Sequence, residues 1–143
     1  AASVIPGSQV VSRGSQGRPA TVADSQDELV WESFTPAQLA AHRRAGRAVF
    51  LDFTADWCVA CKVNERLVLR SQAVQARLRE LGVVTMKADW TSYDPVITQA
   101  LAEFGRHSIP FYVVYGRDPN SPPIPLSEVL STGRVLSALD KIR

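Results

Sequence analysis

The chain contains two cysteines, Cys58 and Cys61, separated by Val59 and Ala60. Two thiols at that spacing can pair with each other, pair with another protein or contribute to a metal site. If a helix starts at Cys58, positions i and i+3 lie on one face a turn apart, within the Cα separation that a disulfide tolerates. The loop so closed is too short to remove much entropy from the unfolded chain, so a purely structural crosslink is the weaker explanation. Zinc takes about four ligands, and His42 and His107 are the only histidines available to supplement the thiols. A redox role has a positive mechanism, because a thiolate at a helix N-terminus is favoured by the helix dipole and by unpaired backbone N–H groups. Cys58 would then attack a partner disulfide, and Cys61, deeper in the first turn, would attack Cys58 to release the reduced partner.

Several neighbours could tune such a pair. Asp52 interrupts the apolar run Ala48-Val49-Phe50-Leu51-Asp52-Phe53, and a carboxylate buried there would have a raised pKa and could handle the proton of Cys61; a solvated aspartate at the strand end is the alternative. Glu65 lies four residues after Cys61 on the same helical face and could restrain the thiolate, or simply make an i,i+4 pair on the surface. Trp57 is expected to cover the dithiol, with core packing as the competing role, and Trp57 and Ile109 are the candidate substrate-binding residues. Pro110, at the very start of a strand, can be cis without losing a ladder bond. Asp56 and Lys62 read as surface residues and His107 as a loop histidine.

The elements that must position these groups follow from the pattern. Leu29 to Phe34 alternates as a half-buried strand does, and Thr35-Pro36 supplies an N-cap and a proline at the first helical position, opening a helix to about Arg44. The run from Ala48 to Phe53 is nearly continuous in apolar residues, as in a strand covered on both faces. Lys62 to Arg70 and Gln72 to Leu81 carry helical spacing, with Ser71 as a cap or kink. Val83 to Ala88 is a strand, Asp94-Pro95 opens a helix through Phe104, and Pro110 to Tyr115 and Ser127 to Leu130 are two more strands joined by a proline-rich turn from Gly116 to Pro125. Ser131 or Thr132 caps a last helix to Ile142. Strands that alternate with helices and end in a hairpin and a helix predict an α/β domain, a central mixed sheet flanked by helices.

The 143 residues suffice for one domain that buries roughly two thirds of its unfolded surface. Residues 1–27, rich in Ser, Gly, Gln and Pro, read as a flexible tether, leaving residues 28–143 as the domain. A net charge of +2 selects no partner class, and Arg43, Arg44 and Arg47 lack the interleaved aromatics of a nucleic-acid surface. No apolar run reaches the roughly 18 to 20 residues that span a bilayer. Without an initiator Met or a signal pattern, the chain is expected to be a processed product or a piece of a longer protein.

Leu51-Asp52-Phe53-Thr54-Ala55-Asp56-Trp57-Cys58-Val59-Ala60-Cys61-Lys62, with Glu65, Ala88-Asp89-Trp90-Thr91 and Ile109-Pro110, resembles the thioredoxin superfamily. Within it, the chain is most similar to the C-terminal periplasmic domains of the DsbD/ScsB family of transmembrane thiol:disulfide interchange proteins, over about Leu29 to Ile142. The resemblance implies a thioredoxin-like fold and a protein-disulfide reductase with no cofactor beyond the Cys58–Cys61 disulfide. It implies Cys58 as the attacking and Cys61 as the resolving cysteine, Asp52 and Glu65 as the acidic pair that tunes them, and Pro110 as the cis-proline facing the dithiol. In that family the domain takes electrons from a membrane-embedded domain, itself reduced by cytoplasmic thioredoxin. It passes them to a periplasmic N-terminal domain, which reduces isomerases or cytochrome c maturation factors. The expected partners are therefore protein thiols and disulfides, the expected location is the periplasm, tethered to the inner membrane, and the isolated domain is expected to be a monomer. The long Gly116 to Pro125 turn departs from simple thioredoxins, and Gly133 aligns only loosely with a glycine of their active-site surface. A free-standing periplasmic thioredoxin-like reductase and a metal-binding module on the same fold are the alternatives.

Overall fold

A computed structural model describes residues 29–143; the expected tether, residues 1–27, lies outside the described residues. The elements are β1 (Trp31–Ser33), α1 (Pro36–Arg44), β2 (Val49–Thr54), α2 (Val59–Asn64), a π-helical continuation of α2 (Glu65–Leu69), α3 (Gln72–Glu80), β3 (Val84–Asp89), α4 (Pro95–Ala102), β4 (Phe111–Tyr115), β5 (Ile124–Leu126) and α5 (Thr132–Asp140). The strands form one sheet in the order β1-β3-β2-β4-β5. β1 and β2 run parallel to β3, while β4 runs antiparallel to both β2 and β5. This is the expected α/β architecture with a mixed sheet.

β2 is central, as its unbroken apolar run demands, and alternate residues feed two cores. Ala48 and Phe50 pack with Val68, Leu69, Val74, Leu78, Val135 and Leu139 from the α2, α3 and α5 side. Val49, Leu51 and Phe53 pack with Phe34, Met86, Ile97 and Leu101 from the α1 and α4 side. Helix starts follow capping chemistry: the Thr35 hydroxyl accepts from Gln38 N–H at 3.0 Å, Ser71 from Val74 at 3.3 Å, and Ser131 from Arg134 at 3.1 Å. Gly82 and Gly105 follow helix ends with φ of +63° and +69°, a conformation that suits glycine.

Two boundaries differ from expectation. The last strand is Ile124–Leu126 and not Ser127 to Leu130, so it begins within the proline-rich segment that was expected only to precede it. Pro125, paired in register with Val113, is tolerated because β5 is an edge strand, where a missing N–H need not break a ladder. The helix after the cysteines also changes pitch: Arg70 N–H reaches Glu65 O at 2.9 Å across five residues, giving a π-turn that ends at Ser71. The wider turn buries the consecutive residues Val68 and Leu69.

Candidate active site

β2 delivers the chain to one end of the sheet, where Ala55 to Trp57 turn it into α2. Cys58 is the N-cap: its N–H bonds Ala55 O at 3.2 Å and its carbonyl accepts from Lys62 N–H at 3.2 Å. Its Sγ accepts from Cys61 N–H at 3.1 Å. The two cysteines form a disulfide with Cα atoms 5.2 Å apart. Cys58 is 6% exposed and Cys61 2%, so whatever reaches the bond meets Cys58 first. A sulfur at this N-cap sits among N–H groups that would stabilise a thiolate after reduction.

Asp52 is buried in β2, and its Oδ1 has no hydrogen-bond partner. It pairs in register with Tyr112 on β4 and Lys87 on β3. The Tyr112 hydroxyl accepts from Asn64 Nδ2 at 3.0 Å, which ties α2 to this face of the sheet. Desolvation lifts the Asp52 carboxyl from 3.8 to about 7, with Lys87 opposing, Glu65 reinforcing and Lys62 opposing. Burial likewise pushes the Tyr112 phenol above its usual range, with the Asp52 charge adding to it. A carboxyl held near neutrality can accept and return a proton at physiological pH.

Glu65 opens the π-turn. Its Oε2 accepts from Lys87 Nζ at 3.1 Å, and Oε1 lies 3.8 Å from Arg70. Partial burial pushes its carboxyl up, but the Lys87 hydrogen bond and charge, with Arg70 and Lys62, bring it net below the usual carboxylate range. The structure thus brings Asp52 and Glu65 together through Lys87, one carboxyl raised and the other lowered. Glu65 spends its charge on Lys87 and Arg70.

Trp57 is 47% exposed, and its Nε1 donates to Thr91 O at 3.0 Å. It stacks on Tyr93, with centroids 5.5 Å apart and planes at 22°, and lies 6.2 Å from Trp90. It therefore flanks the dithiol as a half-exposed surface and does not belong to the core. The Ile109-Pro110 peptide is cis, Pro110 is buried, and Ile109 packs against Ala55, Cys58 and Cys61. Asp56 and Lys62 are exposed, 3.9 Å apart. His107 is exposed, while His42 is buried between Glu32 at 2.9 Å and Arg47 at 3.2 Å. Among the described residues no three His, Cys, Asp or Glu side chains gather as a metal site, so the metal-binding alternative lacks a ligand set there.

Residues 30–117 match the family model described as thioredoxin-like, more than half of the 143 residues. The chain belongs to the thioredoxin-like family. It is 55% identical over 53 residues to the thiol:disulfide interchange protein DsbD 1 of Pseudomonas aeruginosa, covering 34% of this chain and 9% of that one. With the thiol:disulfide interchange protein DsbD of Vibrio vulnificus it shares 36% identity over 104 residues, 71% of this chain and 16% of that one. The chain thus spans between about a tenth and a sixth of these curated relatives. The crystal structure of the oxidised C-terminal domain of Neisseria meningitidis DsbD superposes with a TM-score of 0.62 at 26% identity, over 80% of this chain and 100% of that one. The kinship expected from the residues around Cys58 is borne out, and with the disulfide it supports thiol:disulfide exchange as the chemistry of the site.

Within this thioredoxin-like domain, sequence reasoning did not find Lys87, Tyr112, Asn64 or Tyr93. Lys87 and Tyr112 meet Asp52 only through strand register, which no local pattern reveals. Tyr93 sits one residue before the Asp94-Pro95 helix start and carries a φ of +56°. The aromatic spacing of Trp90 and Tyr93 was its only available signal.

Proposed function

We propose that residues 28–143 form the electron-relaying thiol:disulfide oxidoreductase domain of a longer membrane protein. It would take two electrons from a membrane-embedded donor and pass them to a periplasmic acceptor, with residues 1–27 as the link to the donor. The observation that carries the reading is the Cys58–Cys61 disulfide at the N-terminus of α2, on the side of the sheet that holds buried Asp52. The small share of the curated relatives that the chain spans supports its being one domain among several. Among the described residues no helix is long and apolar enough to cross a membrane, so a membrane donor would lie outside them.

In the reductive direction the Cys58 thiolate attacks one sulfur of the acceptor disulfide, a Cys58–acceptor bond forms, and the other acceptor sulfur leaves as a thiolate that takes up a proton. Cys61 gives its proton to the Asp52 carboxylate and attacks Cys58 Sγ. The Cys58–Cys61 bond re-forms, and the second acceptor sulfur leaves reduced. Two electrons have moved, and a donor dithiol restores the pair by the reverse sequence. Glu65 raises Asp52 by its own charge and by holding Lys87 partly away from it, while Trp57, Ile109 and Pro110 line the approach to Cys58.

A Cys61→Ala variant tests the assignment. Reduced and mixed with a defined peptide disulfide, it should accumulate the mixed disulfide through Cys58, visible by mass spectrometry and dispersed by dithiothreitol. Trapping by Cys58→Ala and not by Cys61→Ala would reverse the two roles.

A further inference from the structure

The segment from Asp89 to Asp94 follows β3 and runs beside the dithiol turn. Trp90 N–H bonds Thr54 O at 2.7 Å, so pairing with the β2 strand continues to its last residue. Thr91 then fastens the two loops: its Oγ1 accepts from Asp56 N–H at 2.9 Å, its carbonyl accepts from Trp57 Nε1, and its own N–H donates to Asp89 Oδ1 at 3.0 Å. Trp90 is buried, with Nε1 bonded to Thr98 Oγ1 at 2.8 Å, and its ring stands T-shaped to that of Tyr93 with centroids 5.1 Å apart.

Tyr93 stands out on this wall. A bulky residue with φ of +56° is conformationally costly, yet Tyr93 is 59% exposed and its ring stacks on that of Trp57, itself half exposed, immediately before Cys58. Elsewhere in the molecule rings are covered by internal cations, Arg43 over Tyr115, Lys87 over Trp31 and Arg106 over Phe111. The Trp57–Tyr93 pair instead offers its surface to solvent. Asp56 and Asp94, exposed, flank Trp57 and Tyr93 in the chain, and exposed Asp89 is tied to the same loop through Thr91; Lys62 lies 3.9 Å from Asp56, Asp94 caps α4 by accepting from Val96 N–H at 2.8 Å, and Asp89 is held below the usual carboxylate range by its Thr91 hydrogen bonds. Stacked aromatic faces ringed by carboxylates are suited to a cation.

We propose that this loop is a recognition wall for the partner protein, and that it receives an extended segment carrying Lys or Arg beside the exchanging cysteine. The cation lies over the Trp57–Tyr93 stack while the partner sulfur meets Cys58, with Asp56 and Asp94 answering its charge. Tyr93 and Thr91 are positioning and specificity residues here, since neither touches the sulfurs. The inference rests on the exchange reading above and adds the chemistry of the segment exchanged.

Three model peptide disulfides, identical except for Lys, norleucine or Glu next to the cysteine, supply the test, with 2-hydroxyethyl disulfide as a substrate too small to reach the wall. In single turnover the reduced protein should react with the Lys peptide with a second-order rate constant about fivefold above that for norleucine, with Glu lowest. Tyr93→Asn, which tolerates the left-handed backbone, should compress the ranking to within about twofold and leave 2-hydroxyethyl disulfide reduction unchanged. Tyr93→Phe, which restores the ring, should keep the ranking. Equal rates in the wild type, a norleucine preference, or a Lys preference that survives Tyr93→Asn would each overturn the proposal. Loss of 2-hydroxyethyl disulfide reduction in the wild type would instead remove the exchange reading, and this proposal with it.

Discussion

The two faces of the central strand are built to different ends. Leu51 and Phe53 pack into an apolar and aromatic cluster that includes Met86, Phe111 and Val113. Asp52 points from the residue between them to the opposite face, where Tyr112, Lys87 and Glu65 surround it and one carboxylate oxygen goes unpaired. A stable core needs the first arrangement and gains nothing from the second, because an ionised, incompletely satisfied carboxylate costs free energy. That cost falls on the face shared with α2 and the disulfide. The carboxylate is held there at the expense of stability, which is the pattern of a group kept for chemistry.

Removing the carboxylate should separate the two roles most sharply. A folded-state pKa raised from 3.8 to about 7 means that the native state binds the Asp52 proton more tightly than the unfolded chain does. Stability is then full below pH 3.8, falls as pH rises between 3.8 and about 7, and levels off above. Asp52→Asn should remove that slope and make the oxidised protein more stable at pH 8 by an amount of the order of 4 kcal/mol, with little change at pH 3. Urea denaturation at the two pH values checks this. The same variant should resolve mixed disulfides more slowly near neutrality, and loss of a nearby negative charge should lower the titration midpoint of the Cys58 thiolate. A stability gain without slower resolution would leave Asp52 with no part in the proton transfer.

On the apolar face the expectation inverts. Leu51→Ala removes a side chain that is 1% exposed and should cost about 3 kcal/mol by cavity formation. Because nothing on that side titrates against the dithiol, the pH profile of exchange should keep its midpoint. A shifted midpoint in Leu51→Ala would mean that the two faces are coupled through the sheet.

How far these faces were legible from sequence depended on the range of the contact. The central strand, the Thr35 and Asp94 helix starts, the Ser71 break and the Cys58 position were readable because periodicity and capping act within a few residues. The buried Asp52 was readable as an intruder in an apolar run. Its partners were not: Lys87 is 35 residues away and looks like any surface lysine until β2 and β3 align in parallel. The last strand was misplaced because proline usually signals a turn, and only its edge position makes Pro125 acceptable there. The π-turn also left no trace, since Glu65 to Leu69 satisfies helical spacing nearly as well.

Lys87 sits between the two carboxyls, so its loss should be felt by both. Lys87→Met removes the cation that lowers Asp52 and Glu65 alike. Its stability cost should be about 1 kcal/mol at most, as for other partly exposed ion pairs. Its clearer signature is kinetic: with Asp52 protonated to higher pH, the acid limb of mixed-disulfide resolution should move upward in pH. An unmoved limb would mean that Lys87 serves Glu65 and the Trp31 ring alone.

Glu65→Gln should have the smallest effect on stability and the opposite effect on the profile. The folded-state pKa of Glu65 is depressed, so its contribution is present above its ordinary value of 4.5 and is lost as pH falls through the lower folded value. The pair is partly solvated, so the loss at pH 7 should be only a few tenths of a kcal/mol, vanishing in strong acid. That is the reverse of Asp52→Asn on the same face. Kinetically, Glu65→Gln deletes a charge that raises Asp52 and frees Lys87 to lower it further, two effects of one sign. The acid limb should therefore move to lower pH, against the direction set by Lys87→Met, and the double variant should lie below Lys87→Met only by the direct charge effect of Glu65, the part that works through the lysine being gone. If Glu65→Gln and Lys87→Met shift the limb the same way, Glu65 acts on the cysteines directly and the lysine is no intermediary.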